Sequence, residues 1–135
     1  MRCNRGHASW CLGLTSAATA VCVLADVYQR RCAVTGEKTL PILDAAHIRP
    51  FGDGGEHEIS NGLLLRTDIR RLFDLGYVTV SNDGRFEVGR RLKDDFENGR
   101  HYYTMQGQPL LMPPNLEQRP GREFLEWHQQ NRFRA

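Results

Sequence analysis

His47, Asn61 and the Asp and Arg residues between Asp68 and Asp74 form the part of the chain best suited to chemistry. A neutral imidazole titrates near neutral pH, so His47 could act as a general base that takes a proton from water. A lone histidine, however, is more commonly a hydrogen-bonded residue of the core. The elements predicted around His47 therefore decide how much weight it carries.

Two apolar segments flank a glycine-rich loop. Residues 42–48 are predicted to form a buried strand that Pro50 stops, and residues 63–65 are long enough for a second strand. Residues 51–60 contain three glycines among acidic residues and are predicted to be a loop. This organisation places His47 at the end of a strand and Asn61 at the end of the loop.

A helix is predicted to follow the second strand. Thr67 or Asp68 is expected to be its N-cap, Ile69, Leu72 and Phe73 have helical spacing, and Gly76 is a stop signal. Asn82-Asp83-Gly84 then separates residues 77–81 from 85–88, which predicts a β-hairpin. A short helix over residues 90–97 and a terminal helix over 121–133 are also predicted.

Composition fits one soluble globular domain. The chain has 135 residues, 40% hydrophobic and 25% charged, which argues against global disorder and a multi-span membrane protein. The net charge of +2 does not by itself indicate a nucleic-acid binder. Of the 18 basic residues 16 are Arg, which suits phosphate contacts but also follows from a biased base composition.

The four cysteines and the N-terminal segment both bear on the cellular location of the protein. Cys3, Cys11, Cys22 and Cys32 form no C-x-x-C pair, so we expect reduced thiols in a cytoplasmic protein and no structural zinc. Residues 1–25 are an apolar segment of uncertain role. They could be a cytosolic helix with Val21, Leu24, Val27 and Tyr28 facing the core, a signal peptide of a secreted protein, or the remnant of a longer chain.

Four segments together resemble the HNH endonuclease family, in particular its cysteine-poor branch of restriction-type and defence-type nucleases. They are Cys32-Ala-Val-Thr-Gly36, Asp44-Ala-Ala-His-Ile-Arg-Pro50, Asn61-Gly-Leu-Leu-Leu65 and Asp68-Ile-Arg-Arg-Leu-Phe-Asp74. The resemblance implies an α+β fold with a ββα-metal core, to which this chain adds a β-hairpin and flanking N- and C-terminal helices. The nuclease domain is expected over residues 26–135, with its core at about 28–80 and a C-terminal extension.

The resemblance also implies the roles of two residues. His47 matches the general base that activates water for attack on the scissile phosphate. Asn61 matches the residue that organises the loop and orients the base. The family's third position, normally a metal-ligating His, is Arg70 here, and the residue before the base, often a second ligand, is Ala46. Arg does not ligate metals, so the substitutions weaken the expected metal site and leave activity open.

Other residues could take over these functions. Asp74, one helical turn after Arg70, is the first candidate ligand for Mg²⁺ or Mn²⁺, and Asp68 is the second. Asp44 is expected on the opposite strand face from His47. Arg70 could aim its charge at the scissile phosphate, or it could mark a degraded site.

The sequence therefore predicts a metal-dependent endonuclease that hydrolyses phosphodiester bonds in double-stranded DNA. The alternative is a weakened or inactive HNH-fold module that binds DNA. Residues expected to contact the DNA backbone are Arg49, Arg66, Arg70 and Arg71. No membrane partner is expected, and the oligomeric state is left open, with a homodimer as one option.

Overall fold

A computed structural model describes residues 23–54 and 58–134 of the chain. Two separate two-stranded antiparallel sheets alternate with helices, which confirms the α+β class. The strands are β1 (Leu43–His47), β2 (Gly62–Arg66), β3 (Val78–Val80) and β4 (Phe86–Val88). The α-helices after β1 are α1 (Thr67–Leu75), α2 (Arg91–Phe96), α3 (Arg100–Tyr103) and α4 (Arg122–Asn131).

The first sheet sets the position of the candidate residues. β1 pairs with β2 so that His47 lies opposite Gly62 and Leu43 lies opposite Arg66. Residues 63–65 are buried, as expected for a continuous apolar run. Five residues of strand span about 13 Å, so His47 and Arg66 lie at opposite ends of the sheet.

Helix α1 follows β2 directly. Ile69 and Phe73 are buried, four residues apart on one face. The N-cap is Arg66, without a capping side chain, so the prediction of Thr67 or Asp68 at this position was wrong. The helix ends at Gly76, whose φ of 87° is left-handed and whose N–H meets the carbonyls of the last turn.

Helix α4 packs against β3, and its residues Phe124, Leu125 and His128 are buried. The ring of His128 stacks on Phe73, with 3.7 Å between ring centroids and 9° between planes. The end of α4 also lies close to the end of α1, because an added Cβ on Gly76 would come within 1.9 Å of the Arg132 carbonyl oxygen. The C-terminal helix is thus part of the same core as the first sheet.

The N-terminal residues that the structure describes pack into this core as well. Residues 23–27 are helical, and Leu24, Val27 and Tyr28 are buried, as expected for a helix whose apolar face packs against the core. The Tyr28 hydroxyl donates to the Gly62 carbonyl over 3.2 Å, at the start of β2. Val21 and the rest of residues 1–22 lie outside the described residues. None of the helices in 23–54 and 58–134 has the length and hydropathy needed to cross a bilayer.

Candidate active site

A cavity of about 230 Å³ opens beside the end of β1. It brings together three residues singled out from the sequence: His47 from β1 and Arg70 and Asp74 from α1. The remaining lining residues are Ile48, Pro50, His128 and Arg132. The half-buried side chain of His47 borders this space, so it lies where a small anionic group could approach.

Asn61 is fully buried and holds the chain that follows His47. Its Oδ1 accepts from the Arg49 backbone N–H and its Nδ2 donates to the Arg49 carbonyl, both over 2.9 Å. Its own carbonyl accepts from the Ile48 N–H, also over 2.9 Å. The amide side chain therefore acts as a substitute strand partner where the ladder ends, and it fixes the backbone two residues beyond His47.

Arg70 is held by carboxylates from two elements. Its Nε lies 3.2 Å from Asp74 Oδ2, and its Nη1 lies 3.8 Å from Asp44 Oδ2. Strand alternation led us to expect Asp44 on the face away from His47, yet the long Arg70 side chain reaches both Asp44 and the cavity. The side chains of Asp44, Arg70 and Asp74 are 31%, 44% and 42% exposed, so water screens these ion pairs.

The electrostatics of Asp74 reflect a balance between desolvation and cations. Desolvation raises the pKa of Asp74, while the positive charges of Arg70, Arg132 and Arg71 act in the opposite direction. The net direction is upward from the usual value of an aspartate. Because the side chain remains partly exposed, this carboxyl group keeps contact with solvent as well as with the cavity.

His128 lines the cavity but has both ring nitrogens engaged. Nε2 lies 2.8 Å from the Phe73 carbonyl and so donates to it, which leaves Nδ1 to accept from the Thr79 hydroxyl over 2.7 Å. Burial lowers the pKa of His128 to about 4, so the ring is neutral at neutral pH. The buried, neutral ring therefore docks the terminal helix on the core.

Arg132 was not singled out from the sequence, although it lines the cavity. Its Nη2 lies 3.0 Å from Asp53 Oδ2, and its guanidinium lies 5.8 Å from the centroid of the Trp127 ring. Arg49 approaches the same ring at 5.6 Å and donates from Nε to the Asp53 carbonyl over 2.6 Å. No local sequence signal marks Arg132, because only the tertiary fold brings it to the loop that follows β1.

The other predicted DNA contacts are divided between two places. Arg71 is exposed on α1. Arg66 lies at the far end of the sheet, where Nε and Nη2 meet Asp68 at 2.6 and 2.9 Å and Nη2 also lies 2.9 Å from His101 Nε2. The structure thus does not bring Arg66 and its partner Asp68 to His47.

The carboxylate of Asp68 is engaged in hydrogen bonds with neighbouring side chains. It accepts from Tyr102 as well as from Arg66, with 2.8 Å to the Tyr102 hydroxyl. Desolvation raises the pKa of Asp68, but the hydrogen bonds from Arg66 and Tyr102 outweigh it and leave the pKa lowered. This arrangement is a structural ion-pair network at the start of α1.

The side chains around the cavity do not form a ready ligand set for a divalent ion. Across 23–54 and 58–134, no three His, Cys, Asp or Glu side chains are grouped so that they could hold a metal. The two nearest carboxylates, Asp44 and Asp74, already flank the guanidinium of Arg70. As arranged, these oxygens fit a permanent organic cation and not a resident metal ion.

Comparison with known proteins agrees with the sequence resemblance. A modification-dependent restriction endonuclease, TagI, has a similar structure, with a TM-score of 0.58 over 84% of this chain at 22% sequence identity. The match covers 37% of the TagI chain, so this chain spans well under half of that protein's length. A search of curated proteins gives no match. The family model described as HNH endonuclease matches residues 32–81, and this segment, which carries His47, Asn61, Arg70 and Asp74, therefore belongs to the HNH endonuclease family.

Proposed function

We propose that the chain is an endonuclease that hydrolyses phosphodiester bonds in double-stranded DNA, with His47 as the general base. One observation carries the proposal: within a segment of the HNH endonuclease family, a single cavity is lined by an imidazole, a guanidinium and a carboxylate. These groups are suited to accepting a proton and to binding a phosphate.

The reaction follows from these groups. The His47 imidazole takes a proton from a water molecule as its oxygen attacks phosphorus. The bond to the leaving sugar oxygen then breaks, and that oxygen takes a proton from solvent. A positioned base contributes about 10²–10⁴-fold to such a reaction. Arg70 stabilises the negative charge that develops on the phosphate oxygens.

Asn61 is a positioning residue in this proposal. It binds the backbone of Arg49, so it holds the segment that follows His47 without touching the substrate. Its replacement would let this segment move and would change the approach of the imidazole to water. Effects of about 1 Å in position can lower rates by about two orders of magnitude.

The family resemblance implies a divalent ion, Mg²⁺ or Mn²⁺, which would polarise the phosphate when bound. Asp74 is the first candidate ligand by position, whereas Asp68 lies in the ion-pair network at the other end of the sheet. Since Asp74 is engaged with Arg70, the described donors do not fit this ion, and no step above depends on it.

DNA binding would extend beyond the cavity through Arg49, Arg71 and Arg132. Arg49 and Arg132 flank Trp127, and Arg71 is exposed on α1. Contacts to phosphates release counterions, so the affinity should fall steeply with salt concentration. Arg66 belongs to this surface only if DNA also reaches the far end of the first sheet.

A plasmid-nicking assay tests the proposed function. Wild-type protein should convert supercoiled plasmid to the nicked form, and His47→Ala should lower the rate by at least about 10²-fold. His101→Ala is a matched control, because it removes an exposed imidazole at the other end of the sheet. Equal nicking by wild type and His47→Ala would refute the role of His47.

A DNA-binding module without catalysis is the second candidate, and the engagement of Arg70 with two carboxylates favours it. Such a module would retard duplex DNA in an electrophoretic assay and leave it uncut. Nicking that appears only after Arg70→His, with added Mg²⁺ or Mn²⁺, would establish this second function. Nicking by the unmodified protein would exclude it.

Three further expectations belong to the same proposal. The nuclease domain covers residues 26–135, and the protein is cytoplasmic. Size-exclusion chromatography with light scattering distinguishes a monomer from a homodimer. Mass spectrometry of the native protein separates the cytoplasmic from the secreted interpretation, because removal of a signal peptide would leave a chain that starts near residue 21.

A further inference from the structure

The side chains of Asp44, Arg70 and Asp74 form a charge cluster at one edge of the cavity. The two carboxylates come from different elements, β1 and α1, and both lie within ion-pair distance of the same guanidinium. Arg70 in turn lines the cavity together with His47. The cluster therefore fixes a permanent positive charge beside the imidazole.

The atoms of Arg70 are divided between its partners and the cavity. Nε faces Asp74 and Nη1 faces Asp44, at 3.2 and 3.8 Å. A guanidinium has five N–H donors in a planar fork and stays charged at any pH at which the protein is folded. Contacts with two carboxylate oxygens leave further N–H donors in that fork, and these can donate to the oxygens of a phosphate.

A divalent ion would compete poorly for this place. It would need the oxygens of Asp44 and Asp74, and both face the positively charged Arg70. A metal ion bound there would first have to displace the guanidinium and would then meet its repulsion. Arg132 adds a second positive side chain to the wall of the same cavity.

We propose that Arg70 is the built-in cation of this cavity, so that the site binds the phosphodiester group of DNA without a divalent metal ion. The catalytic meaning of this inference rests on the proposed function, but phosphate binding does not. Asp44 and Asp74 serve as positioning residues that orient the guanidinium.

Binding is measured first, with a fluorescently labelled DNA duplex and the full chain, by fluorescence anisotropy. Affinity in excess EDTA should equal affinity in Mg²⁺ at matched ionic strength. Arg70→Ala should weaken binding in EDTA by about tenfold, as expected for loss of a charge-assisted contact. Arg70→Lys, a point charge without the fork, should restore part of the loss.

Arg91→Ala is the matched control. Arg91 forms the same kind of pair with Asp95, four residues along helix α2, at 3.0 Å, and its side chain is 53% exposed. It therefore reports the general effect of removing one exposed arginine. An equal loss of affinity in Arg91→Ala and Arg70→Ala would overturn the assignment, as would a wild-type affinity that collapses in EDTA.

Metal binding is measured separately, by calorimetric titration with MnCl₂ alone. Wild type should release no binding heat, whereas Arg70→His should gain a site, because an imidazole nitrogen then joins two freed carboxylates. Binding of Mn²⁺ to wild type, or its absence in both proteins, would contradict the idea that Arg70 takes a metal's place. Circular dichroism confirms that the variants are folded.

The two proposals fail differently. If wild-type protein nicks plasmid only with added metal and stops in EDTA, the inference is wrong and the endonuclease function stands. If no condition gives nicking but Arg70-dependent binding persists in EDTA, the endonuclease function is wrong and the inference stands.

Discussion

Acidification should destabilise the fold through one buried residue, His128. The residue is 1% exposed, and its ring stacks on Phe73 and is hydrogen-bonded at both nitrogens, so the folded state favours its neutral form. The pKa of His128 is about 4 in the folded protein, against 6.5 for an ordinary histidine. The unfolded chain therefore binds a proton more readily than the folded chain between these two values.

The stability that His128 contributes is fully present above pH 6.5 and is lost as the pH falls towards 4. Each pKa unit corresponds to 1.36 kcal/mol, so this residue alone should lower the free energy of unfolding by about 2 kcal/mol between pH 7 and pH 5. Comparison with a variant that lacks this ring separates its contribution from that of the other groups that titrate in this interval.

Urea denaturation at pH 7 and pH 5 measures the effect. His128→Gln removes the titrating ring, so its free energy of unfolding should change by about 2 kcal/mol less than that of wild type over the same interval. His101→Gln, which removes an exposed histidine, should keep the wild-type difference. The reasoning is refuted if His128→Gln and wild type lose equal stability on acidification.

The remaining predictions concern positions around the cavity. Asn61→Ala leaves the part-buried backbone N–H and carbonyl of residue 49 without their partner and should cost about 2–4 kcal/mol in urea denaturation, whereas Asn115→Ala, at an exposed cap, should cost about 1 kcal/mol or less. Gly76→Ala should lower the melting temperature by more than about 5 °C, because a Cβ there meets backbone at 1.9 Å and the residue keeps a left-handed φ; unchanged melting would contradict this. Trp127→Ala should weaken duplex binding several-fold by releasing Arg49 and Arg132. A wild-type affinity of this variant, measured by fluorescence anisotropy, would refute the proposal that these two arginines bind DNA.

Local patterns in the sequence were sufficient to predict much of the fold. The apolar runs mark β1 and β2, and the helical spacing of Ile69 and Phe73 with Gly76 as terminator marks α1. These patterns depend only on residues close together in the sequence, so they can be recognised without knowledge of the tertiary structure. The N-cap was mistaken because Asp68 is held by Arg66 and Tyr102, the second of which lies 34 residues away.

Only part of the candidate site could be predicted from the sequence. His47, Arg70 and Asp74 lie within one strand and the next helix, so the family pattern and the helical repeat suffice to place them together. Arg132 and the contact of Asp44 with Arg70 depend on tertiary packing and on how far an arginine side chain reaches, neither of which sequence spacing encodes. The separation of Arg66 from His47 depends on strand register, which fixes them at opposite ends of the first sheet.

Helix α4 contributes one wall of the cavity, and this determines how much of the chain would have to be transferred with the site. The family segment ends at residue 81, whereas His128 and Arg132 come from the last helix. Transplanting residues 32–81 into another scaffold would carry the imidazole and its neighbouring charges but leave one side of their enclosure behind. A functional graft would have to include the terminal helix, so the smallest transferable unit of this protein is larger than its recognisable signature.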